Sequence, residues 1–476
     1  MSICSSSIPL EAVYCLARVM ADLPPDGLDP RSLPEPWAGI CLVVGGEGAQ
    51  RRIEALQAQL AVHEIDEAAV AKAICEVELQ APKVNPSPRA GALAKVVEVF
   101  QRWLFMPDPG ALLVCLAAVV GNRLPGDPIW LLLVAPPGSG KTEILNCVVK
   151  LPEAHAVSTL TEASLLSGTG QRDRAQGATG GLLKKIGHYG LLVVKDFGGV
   201  LSLNRDTRAG ILAAMREIYD GSWTRQVGTD GGQELSWQGK VGLVGGSTPA
   251  IDQHHGIMSS LGERFVFYRL PSVDGQQLAY KALAHQGQEQ AMREELTQVV
   301  SELLAGIPAQ QGPISLRPAE KKALVAMATL ATKARSPVER DSYTRDIALI
   351  PGSEAPTRLV LVLAHLLTGL VAVGVERTEA LGLVSKVALD SMPKMRQDVL
   401  VALLGASGEQ STSSIAQKLG YPTSTVRRAL EDLACYGVVE RRSTGHGQSD
   451  VWEMSQWTRH TYAEATSVKA SLELVA

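Results

Sequence analysis

Two glycines, a lysine and a threonine in the run Pro137-Gly138-Ser139-Gly140-Lys141-Thr142 carry the most definite chemistry in this chain. The glycines let a short loop fold its backbone N–H groups around an anion, and a lysine at this spacing reaches the β- and γ-phosphates of a nucleotide. Thr142 opens a helix, where its hydroxyl can ligate Mg²⁺ while the positive helix end, with Glu143 next in line, faces the phosphates. This is the Walker A pattern with one departure. Ala135 stands where the first glycine usually is, a position that shapes the turn and supplies no phosphate ligand. The expected chemistry is binding of ATP or GTP with Mg²⁺, ATP being the preferred reading.

Asp196 is the natural metal partner, because it follows a second apolar run, Tyr189 to Val194. The Walker B form ends in Asp-Glu, the first residue holding the metal's water shell and the second activating water. Here the sequence is Lys195-Asp196-Phe197. Either Asp196 is the metal carboxylate and the base comes from elsewhere, with Glu162 and Glu143 as candidates, or Asp196 is the base and Lys195 has displaced the metal ligand; the first is preferred. Ser247-Thr248-Pro249 closes a third apolar run, Val241 to Gly246, placing two hydroxyls where a γ-phosphate can be sensed. The Gly-rich segment Gly168 to Gly181 carries Arg172 and Arg174 and is either a polyanion-touching loop or a solvated one.

The elements that must position these residues read as α/β. Unbroken apolar runs suit parallel strands covered on both faces. Strands are expected at Ile129–Val134, Ala154–Leu160, Tyr189–Val194, Val241–Gly246 and Val266–Leu270, with a hairpin over 223–238 whose Asp230-Gly231 supplies the turn. Residues 1–89 read as a helical N-terminal region with proline-rich linkers, 90–272 as the nucleotide-binding core, 273–390 as a helical lid and 461–476 as a tail. Residues 391–460 read as three helices and a hairpin. In this unit Thr423, Ser424, Thr425, Arg427 and Arg428 face outward with Arg441, Arg442 and His446 on the hairpin, and Val426, Leu430 and Leu433 pack inward.

A formal charge of −4 over 476 residues gives no global attraction to nucleic acid, so any DNA contact must come from local basic patches. Seven cysteines occur singly without a Cys-x-x-Cys pair, as in a reduced cytoplasmic protein. The first twenty residues, with Glu11 and no basic start before an apolar stretch, are not expected to act as a signal peptide, and Leu359 to Val375 is short of a membrane span and contains His365, so a buried helix is expected there.

The order of these pieces resembles the AAA+ family, and within it the minichromosome-maintenance and superfamily 3 helicases. The matching pieces are APPGSGKT at 135–142, VVKDF at 193–197, the hairpin before the third strand, GSTP at 246–249 and GERF at 262–265. The resemblance implies that Ser247 and Thr248 are the sensor 1 residues, that Arg264 is an arginine finger serving a neighbouring subunit, and that Arg358 in Ala355-Pro356-Thr357-Arg358-Leu359 is the lid's sensor 2 residue. It implies a homo-oligomeric ring, hexameric by family habit, acting on DNA. The 391–460 unit resembles a winged helix-turn-helix. Two departures stand out: Lys195-Asp196-Phe197 for Asp-Glu, and Asp230 at the hairpin tip where these helicases present a lysine to DNA, leaving Arg172, Arg174, Arg225 and Lys240 as substitutes. The function implied is an ATP-driven DNA helicase or translocase of a phage-like or mobile element. The alternatives are an ATP-gated DNA-binding regulator or initiator, and an ATPase that remodels protein.

Overall fold

The computed structural model describes residues 88–168, 180–228, 232–259, 264–308, 312–406, 408–443 and 450–473, the segment 49–63, and scattered positions between 12 and 70. Arg172, Arg174, the hairpin tip with Asp230, Gly262-Glu263 and His446 lie outside the described residues. The chain divides into two compact units, Met1–Ser87 with Ser467–Ala476, and Pro88–Thr466. In the first, the helix Ala49–Val62 turns Leu56 and Leu60 into a small core with Trp37, Ile40 and Cys41.

The second unit is built on a five-stranded sheet in the order β2-β3-β6-β1-β7. Its strands are β1 (Trp130–Val134), β2 (Ala154–Val157), β3 (Tyr189–Val194), β6 (Lys240–Ser247) and β7 (Phe265–Arg269), all parallel. Every residue of β1 and β7 is buried, as unalternating sequence requires when helices cover both faces. Before the sheet come α1 (Pro88–Trp103) and α2 (Gly110–Arg123). Asn122 on α2 fixes the start of β1: its amide donates to Ile129 O and accepts from Ile129 N. After β1 follow α3 (Lys141–Val149) and α4 (Arg205–Tyr219). A hairpin of β4 (Ser222–Val227) and β5 (Gln233–Gln238) precedes β6.

Beyond β7 lie α5 (Gly275–Ala284), α6 (Glu289–Ala305) and α7 (Pro318–Arg335). Within residues 273–390, expected to be a helical lid, a small hairpin of β8 (Glu339–Arg340) and β9 (Ile347–Leu349) intervenes, in which Asp341 Oδ1 accepts from the N–H groups of Tyr343 and Thr344. The tempting apolar run is α8 (Thr357–Val373), buried against α2. Gly369 permits that approach, since a Cβ there would sit 2.2 Å from the Ala117 carbonyl oxygen. Among the described residues no helix is long and apolar enough to cross a membrane.

α9 (Arg377–Asp390) is fastened to the end of β7 by polar groups. The Arg269 guanidinium holds both carboxylate oxygens of Asp252 at 2.7 and 2.8 Å and donates to the carbonyls of Asp390 and Met392. The C-terminal part then forms α10 (Lys394–Leu404), β10 (Gln410–Ser411), α11 (Thr412–Leu419), α12 (Thr423–Cys435), β11 (Val439–Arg442) and β12 (Val451–Met454), the strands paired in the order β10-β12-β11. Trp452 is its buried pivot, donating to Thr412 Oγ1 at 2.8 Å. What the sequence suggested as a tail is the helix Gln456–Glu473, whose Thr458 and Thr461 are buried.

Candidate functional site

Because the sheet is parallel, Val134, Val157, Val194, Ser247 and Arg269 end on one edge, where α/β proteins bind ligands. The loop 135–140 leaves β1 at that edge and α3 begins at Lys141. Gly138 and Gly140 have φ of +79° and +83°, a region that costs an L-residue about 1–2 kcal/mol. A Cβ at either would meet nothing within 4 Å, so the glycines are required by backbone conformation and leave the cradle open. Lys141 Nζ folds back on the carbonyls of Ala135 and Pro136 at 2.5 and 2.7 Å and on Ser139 Oγ at 3.3 Å. Burial lowers its pKa, and the charge of Asp196 partly offsets that. A half-buried ammonium held by neutral acceptors can exchange them for phosphate oxygens.

Asp196 lies just past β3, exposed, with Oδ1 accepting from Gly198 N at 3.0 Å. Thr142, also exposed, supplies a hydroxyl at the start of α3. Among the described residues no cluster of three or more acidic, His or Cys side chains could cage a metal. Mg²⁺ typically takes one or two carboxylates and completes its shell with water and substrate phosphates, and the Thr142 hydroxyl at the start of α3 and the exposed Asp196 carboxylate past β3 are donors of that kind. Ser247 pairs in register with Val134, and its carbonyl accepts from Ala135 N, so β6 delivers Ser247 and Thr248 directly beside the loop. Ser247 is buried, while Thr248 is half-buried and caps the 3-10 turn Pro249–His254 that carries Asp252.

A cavity of about 530 Å³ opens over residues 137–143 and is closed by Trp103, Phe105, His285, Met292 and Arg293 among others. Its far wall is α5 and α6, tied to α1 through Glu295. That carboxylate accepts from Trp103 Nε1 at 2.6 Å and pairs with Arg102, while the His285 ring packs on Trp103 at a 59° tilt with ring centroids 4.7 Å apart. Sequence reasoning missed this wall. Arg293 in Gln290-Ala291-Met292-Arg293-Glu294 reads as a solvated helix face, and nothing local marks it.

The remaining predicted residues are spread over three places. Arg264 lies at the opposite edge, before Phe265, which pairs with Trp130 at the start of β1. It is buried, pairs with Asp220 at 2.6 Å and sits 5.3 Å from the Tyr219 ring. Arg358 stands 5.8 Å from the same ring. Neither reaches this chain's own loop, since β1 alone separates the edges by about 13 Å at 3.3 Å per residue. The resemblance named Arg358 as the lid's sensor 2 residue; in the structure it sits at the start of α8, 3.8 Å from Glu354 and near Tyr219 at the end of α4. Of the candidate bases, Glu143 is bound by Arg293, and Glu162 faces Arg225 at 3.9 Å. Arg225 also donates to Leu166 O at 2.6 Å, and Lys240 Nζ donates to Leu124 O at 2.5 Å, so both have internal partners.

In the C-terminal part Thr423, Ser424, Arg427 and Arg428 are exposed, Thr425 is half-buried, and Val426, Leu430 and Leu433 are buried. Three of the arginines already have carboxylates: Arg427 with Glu431, Arg441 with Asp450, and Arg442 with Glu409. Arg428 has no acidic partner among the described residues.

No protein-family model and no curated protein matches the chain. Among solved structures it is similar to the apo A form of the NrS-1 C-terminal region, with 12% identity, 76% of this chain and 75% of that chain covered, and a TM-score of 0.25. It is also similar to NtrX from Brucella abortus in complex with ADP, at 16% identity, 81% and 79% coverage and a TM-score of 0.26. JCV helicase bound to a small organic molecule follows at 11% identity, 64% and 94% coverage and a TM-score of 0.16.

Proposed function

We propose that this chain is an ATP-dependent DNA helicase or translocase of the AAA+ kind, working as a ring. The observation that carries the reading is the sheet order: with β6 between β3 and β1, Lys141, Asp196 and Thr248 share one edge, and Arg264 and Arg358 share the other. Lys141 and the loop N–H groups bind the triphosphate, Thr142 and Asp196 hold the nucleotide's Mg²⁺, and Thr248 stands where it can sense the γ-phosphate. Mg²⁺, when bound, neutralises the charge on the transferred phosphoryl group. Two arginines a strand length from their own loop are suited to a neighbour's nucleotide. Asp220, the partner of Arg264, is 53% exposed while Arg264 keeps 6%, so Arg264 must leave this pair to serve a second copy. A ring, hexameric by resemblance, follows from that division of labour.

The C-terminal part, read as a winged helix-turn-helix, would dock α12 in a major groove with Thr423, Ser424, Thr425, Arg427 and Arg428 toward DNA, and β11 as a wing with Arg441 and Arg442. Arg172, Arg174 and Arg225 remain candidate contacts of the core with DNA. A second reading, an ATP-gated DNA-binding regulator without strand separation, is favoured by Lys195-Asp196-Phe197 standing where Asp-Glu is usual and by Asp230 in the hairpin turn. Strand displacement with ATP, measured beside ATP hydrolysis with and without single-stranded DNA, separates the two. A motor displaces a strand and hydrolyses faster on DNA, whereas a regulator binds duplex DNA in an ATP-dependent way and displaces nothing.

A further inference from the structure

Glu143 is an awkward residue for a phosphate site, because it sets a carboxylate in the first turn of α3, directly after Thr142. The helix end favours that charge, but bound phosphates repel it. The structure answers with Arg293 from α6, which donates Nε and Nη2 to the two Glu143 oxygens at 3.0 and 2.9 Å. These bonds are the main reason the Glu143 carboxyl lies below the usual range, and Asn146 adds a third at 3.2 Å. Glu143 is largely covered, at 17% exposure, whereas Arg293 keeps 52% and lines the same cavity as residues 137–143. The pair therefore uses one edge of the guanidinium. Nη1 has no partner among the described residues, and no other arginine lines that cavity.

We propose that Arg293 is a phosphate-contacting residue of this subunit's own nucleotide site, aimed by Glu143 and offering Nη1 to the nucleotide's phosphates. Bound nucleotide and α6 are thereby fastened together. The proposal rests on the nucleotide-site reading and assigns the cationic role on the lid side to Arg293 in place of Arg358. A planar guanidinium fits it, since two donors can stay on a carboxylate while the others bond an anion. In this arrangement Glu143 is a positioning residue: it orients the guanidinium.

The test is equilibrium binding of ATP with Mg²⁺ to the whole chain, read by titration and by the rise in melting temperature at fixed nucleotide. Arg293→Ala is expected to weaken ATP about 10-fold or more, the size of one charge-assisted hydrogen bond, with the nucleotide-free melting temperature little changed because the lost pair is half exposed. Arg293→Lys is expected to recover only part, and Glu143→Gln to weaken binding less than Arg293→Ala does. If Arg293 only neutralises Glu143, the double variant Arg293→Ala with Glu143→Gln regains wild-type affinity, and that result overturns the proposal. Unchanged affinity in Arg293→Ala, in a protein whose wild type binds ATP, overturns it too and leaves the nucleotide site standing. A wild-type chain that binds no nucleotide sinks the underlying reading as well.

Discussion

Lys141 and Asp196 separate binding from turnover at the level of single residues. Lys141 Nζ rests on neutral carbonyls and feels Asp196, so its removal takes away the cation that meets the phosphates and leaves the fold intact. Lys141→Ala should weaken ATP by at least about 10- to 100-fold, the 1.5–3 kcal/mol of a hydrogen bond to a charged group, in a direct titration. Asp196→Asn keeps a side-chain acceptor for Gly198 N but loses the charge that orders the metal. It should bind nucleotide nearly normally and lose Mg²⁺-dependent hydrolysis. Equal turnover in the wild type and this variant would remove Asp196 from the site.

Helix starts and hairpins decide what the elements can withstand. At the start of α7, Glu320 is fully buried and accepts from Arg317 and Arg377. Burial alone would raise its pKa, but the hydrogen bonds of Arg377 and Arg317 outweigh it and bring the carboxyl to about 2. Its folded pKa is thus depressed, so its contribution is complete above about pH 4.5 and is lost as the pH falls toward 2. From that shift the contribution is on the order of 3 kcal/mol. Acid unfolding of Glu320→Gln should show less pH dependence in this window than the wild type, with lower stability at neutral pH. On α12, Arg428 is exposed with no carboxylate partner among the described residues, while Arg427 is tied to Glu431. DNA binding by the whole chain should therefore lose about one unit of its log–log salt slope in Arg428→Ala, and less in Arg427→Ala. Equal effects would mean that the pairing of Arg427 with Glu431 does not persist in solution.

For the whole molecule the question is whether nucleotide sites are shared between copies. Arg264 and Arg358 cluster on Tyr219 at the edge opposite Lys141. An arginine supplied across an interface stabilises charge on the transferred phosphoryl group and adds less to ground-state binding. Arg358→Ala should keep ATP affinity and lose turnover, and Arg264→Ala should do the same with some added loss of stability from the Asp220 pair. Mixing Lys141→Ala with Arg358→Ala should restore part of the hydrolysis, because an intact Lys141 from one copy meets an intact Arg358 from another. No recovery, together with a monomeric mass in ATP and Mg²⁺, would exclude the ring.

What the sequence determined by itself is local: the apolar runs that became β1, β3, β6 and β7, the loop with its two glycines, the hairpin before β6, and the inward face of α12 with Val426, Leu430 and Leu433. Each depends on periodicity or backbone conformation within a few residues, which the chain writes directly. The placement of Asp196 and Thr248 beside Lys141 followed once those strands were parallel. Tertiary structure alone decided which side chains converge from afar. Arg293 reaches Glu143 across 150 residues, Arg269 joins Asp252 to Asp390 and Met392, and Arg358 meets the Tyr219 ring. An arginine on a helix looks the same in sequence whether it meets water, a carboxylate or a nucleotide. The difference is made by which helix the sheet's strand order brings against it.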